Sequence, residues 1–407
     1  MHQGTLISRA RAQSFIIKRP RLTKLLDESG ARIILLVAPP GYGKTTLARE
    51  WLARKQGAVW YAGGPAMADV AALALGLAQA LAAGAEQHPK AAERVQILAS
   101  RDQPPRVLAK AVARVVADEC EIVAIDDYHH AGESPDCEAF LAELLSLTHF
   151  RLVLTSRSRP AWITPRMAIY GEALVLETVD LAFTDAEAQE VLRETGDRSR
   201  ERILAQARGW PAVIGLAAMR RGAVDPAAGL KADDLYDFFA EDLFQRASPA
   251  LRHALFLLAL GADVDDGVAK ELLGPDHAEL MAEAAERGFV SRESPAGDND
   301  TMHPLLKSFL VAKLREVEAG DVAAMVASVV AAAARRSHWD ACLAALQHFP
   351  QAELIGSTLQ QALGELLAAG RVATVKRWIK LAGATGCSDP TLLLAEAEVA
   401  LREGDDR

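Results

Sequence analysis

The sequence predicts an α/β fold with an all-α remainder: a five-stranded parallel sheet of the P-loop (ASCE) kind, then helical segments to the last residue. Two observations carry this. Short apolar runs of strand length alternate with helix-compatible segments as far as Glu177, the pattern of a parallel sheet covered by crossover helices. Half of the residues are hydrophobic but only 5% are aromatic, and alanine and leucine, both good helix formers, carry much of that half. A chain of 407 residues is also too long for one core and suggests about two to four domains.

The elements follow in order. Pro20-Arg21-Leu22 opens a helix to Ser29, and residues 33–37 form a wholly apolar strand that stops at a Pro/Gly loop before a helix over 45–54. Residues 58–62 give a second strand, two alanine- and leucine-rich helices over 67–83 and 105–117 are joined by a polar link, and residues 121–127 return as a strand. A helix over 136–147, a strand over 151–157 and a last strand over 173–177 complete the sheet.

Thr184-Asp-Ala-Glu187 is a capping box, and helices follow over 184–195, 199–208 and from Gly209-Trp-Pro211 to 220. After a loose link over 225–230 come helices over 233–246, 249–260, 265–273 and 278–287. A strand starting at Phe289, a polar turn, Thr301-Met-His-Pro304 and a helix over 305–314 complete a winged-helix pattern. No helix there offers Arg, Lys, Asn or Gln at groove-reading spacing, so DNA contact is not expected of it. From Asp321 the chain is helix after helix, with breaks at Ser337-His-Trp-Asp340, Gly370-Arg371 and Gly404-Asp405. Their interval of about 33 residues is that of TPR-like helix-turn-helix repeats. The last helix, 392–402, has an apolar stripe with no following partner, which predicts a piece of a longer protein. The expected domains are 1–180, 181–232, 233–318 and 319–407.

Formal charge is −9, which argues against a nucleic-acid-coating chain. The exception is the start, where Arg9, Arg11, Lys18, Arg19, Arg21 and Lys24 precede the first acid, Asp27. Cys120, Cys137, Cys342 and Cys387 are scattered without a C-x-x-C pair, as expected of reduced thiols in the cytoplasm. No apolar run reaches the roughly 18 residues that span a bilayer.

The chemistry concentrates at three strand ends. Ala38-Pro-Pro-Gly-Tyr-Gly-Lys-Thr-Thr46 joins strand to helix as a phosphate-binding loop does. Backbone N–H groups around Gly41, Tyr42 and Gly43 can converge on phosphate oxygens, with Pro40 and Thr46 completing the binding loop on either side; the new helix presents its positive N-terminus, Lys44 adds a charge for the β- and γ-phosphates, and Thr45 offers a hydroxyl to Mg²⁺. Ala38 replaces the first glycine of the usual pattern, which Gly41 and Gly43 tolerate because they supply the permissive dihedrals. The mundane alternative is an ordinary strand-turn-helix connection.

Ile125-Asp-Asp127 is a Walker B arrangement: Asp126 holds Mg²⁺, and Asp127 orients or deprotonates an attacking water. Alone, an apolar run ending in two acids is often just a strand leaving the core. Arg157, at the tip of the strand Leu154-Thr-Ser-Arg157, is placed to sense a γ-phosphate, with Arg159 the neighbouring candidate and a solvated basic turn the alternative for either. Trp210 and Pro211 read as a helix start, and His303, taken singly, as a structural histidine.

With these pieces in register the chain resembles the N-terminal portion of LuxR-family transcription activators of the MalT type, within the signal transduction ATPases with numerous domains (STAND). The resemblance rests on Lys18-Arg-Pro-Arg-Leu22, residues 38–46, Ile125-Asp-Asp127, Leu154-Thr-Ser-Arg157, Gly209-Trp-Pro211 and Met302-His-Pro304. It implies ATP or ADP with Mg²⁺ as cofactors, Pro211 packed on the adenine, His303 at the β-phosphate, and Arg19, Pro20 and Arg21 along the base or phosphate edge. It further implies an ADP-bound resting monomer, an unknown small-molecule or protein inducer acting on the repeat arm, self-association with ATP, and slow hydrolysis. Where related switches carry Met-His-Asp this chain has Pro304. DNA would be bound by a domain outside these residues. A P-loop motor or chaperone and a non-hydrolysing scaffold are the competing readings, the latter weakened by the intact Lys44, Thr45, Asp126 and Asp127.

Overall fold

A computed structural model of the chain describes residues 18–83, 89–99, 103–116, 120–131, 134–193, 197–219, 232–261, 266–287, 289–292 and 300–403. Arg9, Arg11, the link over 225–230, the turn within the 289–304 hairpin and Gly404-Asp405 lie outside them. The chain divides into two compact units. One gathers residues 20–39, 44–181 and 352–407; the other gathers 1–19, 40–43 and 182–351. The dividing line therefore passes twice through the phosphate-loop sequence.

The first unit is built on a parallel sheet of β1 (Ile33–Val37), β2 (Ala58–Tyr61), β3 (Ile122–Ile125), β4 (Arg151–Ser156) and β5 (Ala173–Leu176) in the order β2-β3-β4-β1-β5. Burial explains the order. Ile34, Leu35 and Leu36 of β1 and Val123 and Ile125 of β3 are fully buried, as interior strands covered on both faces must be. Edge strand β2 is only half-buried throughout. With β4 inserted between β1 and β3, the C-terminal ends of the three interior strands lie side by side, where α/β sheets bind ligands.

The helices differ from expectation in four places. The expected helix over 67–83 is a 3₁₀ turn, Pro65–Ala68, and a helix, Val70–Ala83, separated by Asp69 in extended conformation (φ −94°, ψ 121°). The expected polar link carries a further helix, Pro89–Ala99, which buries Val95 and Ala99 while its charged residues mask the stripe in sequence. Short helices at Pro165–Ile169 and Thr178–Leu181 were also not legible beforehand.

The last three helices, Ala352–Ala368, Val372–Ala384 and Pro390–Glu403, belong to this same unit. Asp69, only 5% exposed, receives the N-terminus of Val372–Ala384: Ala373 N–H donates to it at 2.6 Å, the Thr374 hydroxyl at 2.7 Å, and Arg371 Nε lies 3.7 Å away. A carboxylate at a helix N-terminus satisfies backbone donors the helix leaves open. Gly370 (φ +67°) sits so close beneath that a Cβ there would come 2.5 Å from the Ala99 carbonyl.

The second unit is helical apart from an antiparallel pair, β6 (Val290–Arg292) with β7 (Asp300–Met302). Helices Asp185–Val191, Asp197–Ala207 and Pro211–Met219 pack with Ala232–Gln245, Pro249–Leu260, His277–Glu286 and Pro304–Leu314 around a core that includes Trp210, Phe244, Leu255, Phe289 and Leu310. The Thr184 capping box forms as read, the hydroxyl accepting from Glu187 N–H and the Glu187 carboxylate from Thr184 N–H. Helices Ala319–Ala334 and Trp339–His348 close the unit.

Candidate functional site

In the sheet unit, helix Lys44–Leu52 starts where the loop ends. Lys44 is 6% exposed, and its ammonium donates to the carbonyls of Ala38 (2.7 Å) and Pro39 (3.0 Å). Burial lowers its pKa to about 8, opposed by Asp127 and Asp126 and aided by Arg157. Lys44, Arg157 and the two aspartates thus share one electrostatic neighbourhood. Thr45 lies at the helix start and Thr46 faces outward.

Three strand ends meet at Asp126. Thr45 Oγ1 donates to Asp126 Oδ1 at 2.9 Å, the Thr155 hydroxyl of β4 donates to the same oxygen, and Thr155 Oγ1 accepts the Asp127 N–H at 2.9 Å. Burial pushes the Asp126 carboxyl above the usual carboxylate range, against the Thr155 hydrogen bond that favours the anion. A buried carboxylate beside a hydroxyl is a hard-oxygen pair, which fits Mg²⁺ when phosphate and water oxygens complete the shell.

Asp127 adopts a left-handed conformation (φ 48°), uncommon for a residue with a side chain. It leads into a 3₁₀ turn, Tyr128–His130, that turns His129 back so its Nδ1 lies 3.6 Å from Asp127 Oδ1. Burial, then His130, Arg157 and Lys44, lowers the His129 pKa to about 3, so the ring is neutral at physiological pH. Arg159 donates from Nε to the Ile163 carbonyl at 3.0 Å and lies 4.0 Å from Glu177. Of the two arginines, Arg157 is the one whose charge reaches Lys44 and His129.

In the helical unit, the loop turn 40–43 is gripped from outside. Trp210 Nε1–H donates to the Pro40 carbonyl at 3.2 Å, and Ala212 N–H donates to the Gly41 carbonyl at 3.0 Å. Tyr42 stacks on Trp210 (centroids 6.1 Å, 16° between planes), which stacks on Tyr236 (6.0 Å, 26°). Gly41 (φ +84°) has no room for a side chain: a Cβ would come 2.7 Å from Ala212, 2.7 Å from Trp210 and 2.8 Å from Leu305. Trp210 and Ala212, on either side of Pro211, and Leu305, two residues after His303, therefore lie against the loop. His303 caps helix Pro304–Leu314, its Nδ1 accepting from Leu305 N–H at 3.3 Å.

Arg19 is buried in the helical unit, donating to the Ala182 carbonyl at 2.8 Å, with its guanidinium 5.0 Å from the Phe183 ring centre and 3.5 Å from Glu187. Arg21 donates to the Asp180 carbonyl at 3.0 Å within the sheet unit, and the Pro20 carbonyl accepts from the Thr23 hydroxyl. Neither contact was announced by the sequence. His129 and the indole of Trp210 were missed as well. The polar residue two places after Asp127 was a usable signal for the first, whereas Gly-Trp-Pro read only as a helix start.

Residues 26–160 match the AAA domain family. Over 332 residues, 74% of the chain, the sequence is 28% identical to the serine/threonine-protein kinase PknK of Mycobacterium tuberculosis. Over 323 residues it is 25% identical to the HTH-type transcriptional regulator MalT of Yersinia enterocolitica. The matched region spans 29% of the kinase and 35% of the regulator. Among solved structures the chain is similar to a STAND protein with a tetratricopeptide repeat sensor from Pyrococcus horikoshii (TM-score 0.67, 14% identity), covering 96% of this chain and 56% of that one. No helix among the described residues is long and apolar enough to cross a membrane. Residues 26–160 are thus similar to an AAA domain, in a chain whose fold is similar to that of a STAND protein and whose sequence is similar to that of MalT.

Proposed function

We propose that the chain is an adenine-nucleotide-dependent switch serving a LuxR-family regulator of the MalT type in the cytoplasm, resting with ADP and self-associating with ATP. The observation that carries this reading is the grip on turn 40–43: Trp210 and Ala212, on either side of Pro211, and Leu305, two residues after His303, lie against the loop that would hold the phosphates. A nucleotide held by Lys44 and also by Pro211 and His303 can bias an equilibrium, because ADP and ATP differ in what they offer Arg157 and the helical segments.

In this reading Gly41, Tyr42, Gly43, Lys44, Thr45 and Thr46 bind the phosphates, Pro40 and Pro211 flank the nucleotide, and Arg19 to Arg21 line its edge. Thr45 and Asp126 would hold Mg²⁺, which would neutralise phosphate charge. Asp127 orients or deprotonates the attacking water, with its backbone fixed by Thr155 and its carboxylate beside neutral His129, and Arg157 senses the γ-phosphate. Hydrolysis resets the switch and is slow. The β6–β7 pair with its helices is the winged helix, residues 319–407 start a TPR-like arm on which a small-molecule or protein inducer acts, and DNA is contacted by another domain.

Mass spectrometry of nucleotide retained by freshly purified protein tests the reading. Near-stoichiometric ADP supports it, and Lys44→Ala should then lose the nucleotide. Nucleotide-free protein that turns ATP over rapidly without inducer would instead favour a motor.

A further inference from the structure

We propose that Trp210 is a positioning residue for the phosphate loop, setting from outside the direction in which the loop's peptide N–H groups point. This rests on the nucleotide site proposed above.

A trans peptide is planar, with C=O and N–H pointing opposite ways. The Pro40 carbonyl is fixed by the Trp210 indole and the Gly41 carbonyl by Ala212 N–H at the start of helix Pro211–Met219. Each bond turns the N–H of the same peptide unit, that of Gly41 and that of Tyr42, away from the helix. Those two N–H groups are among the ones the sequence assigns to phosphate oxygens. A glycine-rich loop has many other arrangements open to it, since Gly41 (φ +84°) and Gly43 (φ +75°) occupy conformations that side chains rarely adopt. Trp210 is in turn fixed by its own surroundings: it is 6% exposed and stacked between Tyr42 and Tyr236. Its N–H therefore meets the Pro40 carbonyl from a direction set by its neighbours within the helical unit.

The consequence is selective. Misdirected N–H groups at the loop should weaken binding of a β-phosphate more than binding of a nucleoside monophosphate, whereas loosening the helical unit as a whole should weaken both alike.

The test measures dissociation constants of ADP and AMP by calorimetry, on the full chain and on Trp210→Phe, which keeps an aromatic ring in the stack and removes the N–H. One lost hydrogen bond predicts ADP binding about five- to tenfold weaker, with AMP changed less than about twofold. Should the phenylalanine variant not fold, Trp210→Leu, which likewise carries no donor, gives the same comparison. Unchanged ADP affinity in the variant, or equal weakening of ADP and AMP, overturns this inference while the nucleotide site stands. A wild-type chain that binds neither nucleotide overturns both.

Discussion

Asp69 offers the sharpest test of how the last helices are held to the sheet unit. Thr374→Val keeps the side chain's shape and removes a 2.7 Å hydrogen bond to a carboxylate that is 5% exposed. A bond to an ionised acceptor contributes about 1.5–3 kcal/mol, and little is regained because the carboxylate keeps the Ala373 N–H and stays buried. Asp69→Ala is worse: it leaves the Arg371 guanidinium, whose side chain is 14% exposed, facing a buried hydroxyl and backbone N–H, and breaking a buried pair costs about 3–5 kcal/mol. A chain of several units does not unfold in two states, so the readout is amide exchange along Val372–Ala384. At about 1.4 kcal/mol per factor of ten, Thr374→Val should speed exchange at Ala373 roughly ten- to a hundredfold. Acceleration under about threefold would refute the idea that Asp69 holds this helix.

Four further outcomes are expected. Burial raises the Asp69 pKa in the folded chain above 3.8, so the native state binds its proton more tightly and protection of Val372–Ala384 should fall as pH rises from 3.8 through the folded value. Asp69→Asn should remove that slope, as exchange measured across pH 4–7 would reveal after correction for intrinsic rates. Gly41→Ala meets both a left-handed backbone and three contacts under 3 Å, and should lose about 2–4 kcal/mol, read as faster exchange at the Ala212 amide, which donates to the Gly41 carbonyl. Asp127→Asn should slow single-turnover ATP hydrolysis at least about a hundredfold while nucleotide affinity stays within a few fold. Thr184→Ala removes a hydroxyl that accepts from Glu187 N–H and should destabilise the helix start by about 1 kcal/mol, measured by exchange at the Glu187 amide.

Much of the architecture could be read from the residues because the relevant physics is local. A run such as Ile33–Val37, apolar at every position, has to be a strand buried on both faces, and a Pro/Gly loop followed by Lys-Thr-Thr has to turn into a helix start. Thr184 and Glu187 form their capping box because both partners lie within four residues. The placing of Lys44, Thr45, Asp126 and Asp127 at element ends was legible for the same reason: the period of each element announces where it stops.

What the tertiary structure alone decided are pairings between residues far apart in the chain. Asp69 meets Thr374 and Arg371 across some three hundred positions, and Trp210 and Ala212 reach the carbonyls of Pro40 and Gly41 across some hundred and seventy. Periodicity records which face of an element is buried but not what buries it, and an aspartate between a 3₁₀ turn and a helix looks the same with or without a partner. The helix Pro89–Ala99 was hidden because its buried stripe is short and interleaved with charge. The sequence by itself determined which side chains stand at the strand ends; the fold decided which distant groups meet, because long-range contacts depend on chain closure that no local pattern encodes.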